Sequence, residues 1–297
     1  MKKILLIYNP NAGDEKGNEL LETIERKLKE NFEEVLIKET KDAGHATELA
    51  KEYKDIESIA VFGGDGTINE VLLGMYEADS HAKLLIIPAG TGNLLAKKLD
   101  IPENPEEALN AFSFNKTKKI DLGKCGDNVF SMFASIGAIP EAIHEVSSEE
   151  KSKLGGLAYI KKSVEKLLDS HKYELEITSD GGEYSGEVDH LMVCLSNKIG
   201  KLEFTKENKD MDNGLAHVLI LTDDSVKDRL EVLRASVAGE VEDVDKVVNF
   251  KAKKISIKSL DGDVKVDIDG DEGPKLPVDI EIINKAVEVY IPDLNEV

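Results

Sequence analysis

Over the first ~125 residues, short apolar runs alternate with stretches in which apolar residues recur at helical spacing. Strands are predicted at Lys3–Tyr8, Val35–Glu39, Ser58–Phe62 and Lys83–Ile87. Between them, Leu20, Leu21, Ile24 and Leu28 mark one helix, and Ala46, Leu49, Ala50 and Tyr53 a second. Ile68, Val71, Leu72 and Met75 mark a third; a fourth starts at Leu94, and "NPEEALNAF" predicts a capped helix from about Asn104. Strands that alternate with helices predict βαβ units and a parallel sheet.

After "KTKKIDLGKC" the period changes. From Tyr173 onward, segments such as "YELEITSD", "LAHVLILTD" and "DVKVDID" alternate apolar and polar residues between Gly, Asp and Asn turns. That is the pattern of an antiparallel sheet or sandwich with half-buried faces. A helical stretch, "LAYIKKSVEKLLD", precedes it, and a helix from Ser225 to about Val237 interrupts it. The expectation is an α/β domain joined near Asp121–Gly126 to a β-rich domain, with a ligand cleft between them.

The chain has 297 residues and 41% apolar content, enough for two cores. Its opening "MKKILLIYNPNAG" has the lysines of a signal peptide, but the apolar run ends at Tyr8 in an Asn-Pro turn and reads as a first strand. No apolar run approaches the ~20 residues of a membrane span. Cys125 and Cys194 lack CxxC spacing and read as buried thiols of a reduced cytoplasm. A formal net charge of -21 argues against a nucleic-acid partner and is awkward for docking on anionic lipid.

Candidate chemistry concentrates in glycine turns that follow strands. "GGDGT" places Gly63, Gly64 and Gly66 around Asp65, with Thr67 at the helix start; the glycines are expected to permit close approach and positive φ. "AGTGN" repeats the design with Gly90, Thr91, Gly92 and Asn93, and "YNPNAG" makes a third turn. In an open parallel sheet, these loops share the carboxyl edge, where a polyphosphate can bind. There is no GxxxxGK[ST], HRD or DFG, which removes P-loop and protein-kinase readings; the absence of GxGxxG and HExxH weakens the dinucleotide-fingerprint and zinc-hydrolase readings, and no GxSxG occurs.

A second acidic element, "VDIDGDEGPKLP", gathers Asp267, Asp269, Asp271 and Glu272 beside Gly270 and Gly273. It reads either as a solvated hairpin turn or as a carboxylate source facing a nucleotide. A calcium loop is excluded because the downstream glutamate is missing.

"NPNAG", "GGDGTINEV", "PAGTGNLLA" and "DGDEGPKLP", in this order and spacing, resemble the bacterial diacylglycerol kinase-like lipid kinases. These are relatives of sphingosine kinases and eukaryotic diacylglycerol kinases, and more distantly of NAD kinase and phosphofructokinase. "GHATELA" after Thr40 and "KIDLG" around Asp121 add to the match, which spans nearly the whole chain. The resemblance implies a three-layer α/β domain (residues 1–123, completed by 286–297) that binds ATP, and a β-sandwich domain (124–285) on the acceptor side. It implies Asn9, Pro10, Asn11, Ala12, Gly13, Thr40, Gly64, Asp65, Gly66, Thr67, Ile68, Asn69, Glu70 and Thr91 around the nucleotide. The family's proton acceptor is the Glu of a "DGE" turn; Asp271 aligns with it here, with Glu272 adjacent as the alternative. Asp65 and Asp121 would join Asp271 around a catalytic Mg²⁺.

Two departures from the family pattern stand out. Leu94 replaces the aspartate of "GTxND". In "KDMDNGLAH", Asn213 stands where a structural Mg²⁺ loop carries an aspartate, leaving Asp210, Asn213 and Leu215 as candidate ligands or a plain Asp-Asn-Gly turn.

The expected function is an ATP- and Mg²⁺-dependent lipid kinase, with diacylglycerol as the first choice of acceptor. The alternatives are a sphingoid or other acceptor, including a soluble nucleotide, or a nucleotide-binding regulator without turnover. The expected setting is the cytoplasm, with transient peripheral contact at the inner membrane face; a homodimer stays open. Of the two basic clusters, Lys116–Lys119 and Lys151–Lys162, the second could lay Leu154, Leu157, Tyr159 and Ile160 on a bilayer, but reads first as a helix packed on the sandwich.

Overall fold

The computed structural model describes residues 2–10, 17–137, 172–199, 202–203, 212–222 and 247–293, with Glu231, Ala235, Glu240, Val241 and Val244 singly between. The chain forms two compact units, Met1–Ile120 with Lys285–Val297, and Asp121–Asn284.

The first unit is built from β1 (Lys3–Tyr8), α1 (Gly17–Lys29), β2 (Glu34–Glu39), α2 (His45–Glu52), β3 (Ser58–Gly63), α3 (Asp65–Glu77), β4 (Lys83–Pro88), α4 (Leu94–Lys98) and α5 (Pro105–Ala111). Its strands pair in the order β2-β1-β3-β4, all parallel. Ile4 to Ile7, Ile59 to Val61 and Leu84 to Ile87 are all fully buried. Continuous apolar strands of this kind are what a parallel sheet covered on both faces requires. Helices α2 and α3 pack together, as do α1 and α5. Right-handed crossovers from this strand order put α1 on one face and α2 and α3 on the other, giving three layers. The order reverses between β1 and β3, so the switch point lies at their carboxyl ends.

Two local features fix the helices. Asn104 caps α5, its Oδ1 accepting from the Glu106 and Glu107 amides at 3.0 and 3.2 Å, and Pro105 opens the first turn. Gly74 lets α3 reach α2: a Cβ there would lie 2.4 Å from the Thr47 carbonyl oxygen and 2.8 Å from Ala50 Cβ.

The second unit takes up β5 (Thr117–Cys125), which begins in the first, then β6 (Asn128–Phe130), β7 (Phe133–Ile136), β8 (Tyr173–Ser179), β9 (Glu183–Val188), β10 (His190–Cys194), β11 (Lys198–Ile199) and β12 (Leu202–Glu203). It continues through β13 (Ala216–Leu221), β14 (Val247–Ala252), β15 (Lys254–Ser259), β16 (Lys265–Ile268), β17 (Asp271–Lys275) and β18 (Val278–Tyr290). One antiparallel sheet runs β14-β13-β10-β7-β16-β17. In the other, β18-β15-β8-β9 are antiparallel neighbours. Two such sheets are the layers of a β-sandwich. β18 then leaves this unit, and its final residues pair in parallel with β4, Glu288 opposite Lys83, adding a fifth parallel strand to the first sheet.

The expected segment 151–162 lies outside the described residues; of the helix expected from Ser225, Glu231 and Ala235 are described and both are helical. Cys125 and Cys194 are fully buried free thiols, and burial pushes Cys125 up to about 12.

Gly74→Ala should destabilise the protein even though alanine gains about 1 kcal/mol in a helix interior. Overpacking against the Thr47 backbone costs about 1–3 kcal/mol and cannot be relieved by a side-chain rotation. A urea midpoint that falls in the variant supports this packing, and an unchanged or raised midpoint refutes it.

Candidate active site

The turns after β1, β3 and β4 emerge on either side of the β1/β3 switch point. Asn9, directly after β1, donates its amide to the Phe62 carbonyl at 3.0 Å, and its Nδ2 lies 3.5 Å from Thr67 Oγ1 on α3. Thr40, after β2, is buried and donates its amide to the Tyr8 carbonyl at 2.9 Å. Pro10 is exposed beside Asn9, whereas Asn11, Ala12 and Gly13 lie outside the described residues.

The turns after β3 and β4 touch backbone to backbone. A Cβ on Gly90 would lie 2.7 Å from Gly64 Cα, and one on Gly64 would lie 3.2 Å from Gly90 Cα. Gly63 is constrained similarly, since a Cβ would meet Thr67 Cβ at 2.7 Å. Positive φ is not the reason for these glycines: Gly64, the residue before α3, sits at φ -87, and Gly63, Gly64 and Gly66 all lie outside the left-handed region. The expectation of positive φ there is corrected. The left-handed residue in this region is Asn93, at φ 49. Its Oδ1 accepts from the Gly90 amide at 3.0 Å and its Nδ2 donates to the Gly90 carbonyl at 2.7 Å, closing the "GTGN" turn on itself.

Asp65 joins the two turns. It is the first residue of α3, yet its carboxylate does not cap its own helix: Oδ1 accepts from the Leu94 amide of α4 at 2.7 Å. A charge-assisted bond of this kind contributes about 1.5–3 kcal/mol. Gly92 makes room for the group, because a Cβ there would lie 2.7 Å from Asp65 Oδ2. Burial pushes the Asp65 carboxyl above its ordinary range, against the opposing pull of the Leu94 and Asn93 amides and Lys97.

Two residues implied around a nucleotide have other work. Ile68 is buried in the core, and its amide donates to the Gly64 carbonyl within α3. Glu70 accepts from the Gly44 and Ala46 amides at 2.8 and 3.1 Å, one carboxylate oxygen to each, and so caps the start of α2. Asn69 is half-buried on α3, Gly66 is exposed in its first turn, and Thr91 is exposed in the turn after β4.

In the second unit, Asp121 is buried on β5 and accepts from the Gly214 amide at 2.6 Å, while Gly214 turns at φ 74. Asn213 Oδ1 accepts from the Leu215 amide at 2.9 Å, and Leu215 is exposed. The neutral oxygen offered for a structural Mg²⁺ therefore also closes its own turn. Asp210 lies outside the described residues, and among the described residues no three His, Cys, Asp or Glu side chains gather. The Asp-Asn-Gly sequence acts as a turn into β13.

The "DGDE" segment is a tight hairpin. Asp269 and Gly270, at φ 51 and 97, are the two residues between Ile268 of β16 and its partner Asp271 of β17. Positive φ at both positions is the signature of a type I′ turn. Asp269 is buried, while Asp271 and Glu272 are exposed. The next pair is Asp267 with Glu272, so Asp271 and Glu272 point to opposite faces of the sheet. Glu272 forms an ion pair with Lys265 at 2.6 Å and, after burial, is the second cause that raises Asp267. The buried role of Asp269 had one signal in the sequence, the Asp-Gly pair that favours this turn.

Gly90→Ala would drive a methyl into the Gly64 backbone and part the two turns. It should lower stability by about 1–3 kcal/mol and weaken nucleotide binding together. Calorimetric titration with ATP alongside thermal melting checks this; full ATP affinity in a folded Gly90→Ala protein would show that the turns are not the nucleotide's seat.

Residues 3–125 match the family model described as "Diacylglycerol kinase catalytic domain", and residues 136–291 match "YegS C-terminal NAD kinase beta sandwich-like domain". A Streptococcus pneumoniae protein described as "Putative lipid kinase" is 40% identical, covering 98% of each chain. A Bacillus subtilis "Diacylglycerol kinase" is 30% identical over 98% of this chain and 97% of its own. Among solved structures, a diacylglycerol kinase from Bacillus anthracis superposes with a TM-score of 0.82 at 28% identity, over 100% of this chain and 99% of that one.

Proposed function

Because this chain belongs to the diacylglycerol kinase catalytic-domain family of lipid kinases, we propose that it transfers the γ-phosphate of ATP to a lipid hydroxyl, making phosphatidic acid from diacylglycerol. The observation that carries this reading is the pair of glycine turns at the switch point, held by the Asp65–Leu94 bond. A parallel sheet binds its ligand at that edge, and small backbone turns leave amides and room for phosphates.

Asp65 is the described carboxylate suited to magnesium here, since the ion is commonly held by one or two carboxylates together with substrate phosphates and water. When bound, magnesium would supply charge neutralisation on the polyphosphate. Thr67, Thr91 and the turn backbones would orient the phosphates, and Asn9 would line the same edge. Asp271 takes the proton of the acceptor hydroxyl. Its carboxylate has no ion pair or side-chain hydrogen bond among the described residues, whereas Glu272 is held by Lys265 and faces the other side of the sheet. A loose phosphoryl-transfer transition state depends more on alignment than on base strength. The acceptor would be met at the cytoplasmic face of the membrane; among the described residues no helix is long and apolar enough to cross it.

The test uses γ-labelled ATP, Mg²⁺ and mixed micelles carrying diacylglycerol, a sphingoid base and other hydroxylated lipids. Label in phosphatidic acid is expected, with Asp271→Asn reducing transfer by about 10²-fold or more while ATP binding survives, the scale of general-base loss. Glu272→Gln should retain transfer within a few-fold. Equal loss in the two variants would contradict the assignment of the base. Label in another lipid would correct the acceptor, and ATP binding without label in any lipid would refute the lipid-kinase reading of this chain.

A further inference from the structure

Asp269 is the residue of the acidic turn that the reaction does not itself require, and it is the most heavily engaged. Its side chain is buried, at 6% exposure, and both oxygens are spoken for. Oδ2 accepts from the Ser131 amide at 2.8 Å and the Ser131 hydroxyl at 3.1 Å; Oδ1 accepts from the Met132 and Phe133 amides at 3.0 and 2.8 Å. Its own amide donates to the Phe133 carbonyl at 3.0 Å. One residue is therefore bound at five points to three consecutive residues, Ser131 to Phe133, where β6 leads into β7. No cation pairs with it among the described residues; the compensation for burying the charge is the set of main-chain dipoles and one hydroxyl. A solvated turn needs none of this, since an Asp-Gly pair holds a type I′ turn by backbone conformation alone.

We infer that Asp269 is a positioning residue: its carboxylate clamps the β16–β17 turn to the Ser131–Phe133 backbone and so fixes the direction in which Asp271, two residues on, presents its carboxylate to the acceptor hydroxyl. This rests on the reading of Asp271 as the base. The donor set discriminates sharply among replacements. All three amides can only donate, so a carboxamide at this position must turn its NH₂ toward at least one of them. The Asp269→Asn change would leave the turn residues in place while breaking the clamp, and a glutamate would reach too far by one methylene.

Asp269→Asn should lower kcat by about 10²-fold with the KM for ATP unchanged, the scale expected when a reacting group is displaced by about 1 Å. Ser131→Ala, which removes one donor and keeps the three amides, should lower kcat measurably but less than Asp269→Asn, by a few-fold to about tenfold. The decisive measurement is a double-mutant cycle: in the Asp271→Asn background, whose residual transfer is followed over long incubation, Asp269→Asn should cost nothing further, because the residues act as one unit. The same fractional loss in both backgrounds, or a folded Asp269→Asn protein with kcat near that of the parent, would overturn the inference. If Asp269→Asn does not fold, Ser131→Ala decides: lowered kcat at unchanged KM for ATP supports positioning, and unchanged kcat reduces Asp269 to a role in folding. Failure of the underlying base assignment is separately visible, as full transfer by Asp271→Asn alone.

Discussion

The approach of Gly64 and Gly90 is the constraint on which the first unit's candidate site depends. Two backbones meet where side chains would normally keep neighbouring turns apart; a Cβ on Gly90 would force them apart, and one on Gly64 would crowd the contact. Close approach alone is not stable, because polar groups at turn ends need partners. Asp65 supplies one by reaching out of its own helix to the Leu94 amide, and Asn93 supplies the rest by folding the second turn on itself. Contact, latch and closure are thus mutually dependent, which explains why "GGDGT" and "AGTGN" occur as a pair. A single glycine-rich turn would have no surface to meet.

Much of the fold was legible in the sequence because it rests on periodicity. The four N-terminal strands were predicted to within a residue at each end, since a parallel sheet covered on both faces demands unbroken apolar runs between turn signals. The return of β18 to the first sheet was not readable from its pattern, because alternation along a strand does not say which neighbour it will join. That expectation came from family resemblance. The reasons for the glycines in the turns were read only in part: close approach holds and positive φ does not, and residue identity cannot separate the two. Glu70 shows a related ambiguity. A carboxylate in the first turns of a helix after a glycine loop suits a ligand, yet this one belongs to the start of α2, a partner far along the chain.

Strand register separates two residues that sequence order leaves side by side. Adjacent acidic residues look interchangeable as bases when written in a line. Once Ile268 is paired with Asp271 and Asp267 with Glu272, they occupy opposite faces, and the ion pair with Lys265 engages only the latter. The pairing follows from the two-residue turn, for a slip by one position would exchange the faces. Gly273 and the irregular register that follows confine this arrangement to the hairpin tip: a Cβ there would meet Ile268 Cγ1 at 2.6 Å and the Val266 carbonyl oxygen at 2.7 Å.

A net charge of -21 suggests a molecule whose carboxylates mostly face water and repel one another. Several instead terminate backbone. Asp65 holds the Leu94 amide, Glu70 the start of α2, Asp121 the Gly214 turn, Asp180 the Lys253 and Lys254 amides, and Asp269 the Ser131–Phe133 segment. In each case the donor is main chain, so the bond constrains a turn directly instead of coupling two mobile side chains. Carboxylate-to-amide ties are also indifferent to which basic residues lie nearby, so they persist in a chain where acids outnumber bases, 59 to 38. Acidic residues can then be abundant without being loosely held, because main-chain donors fix the carboxylates that close these turns.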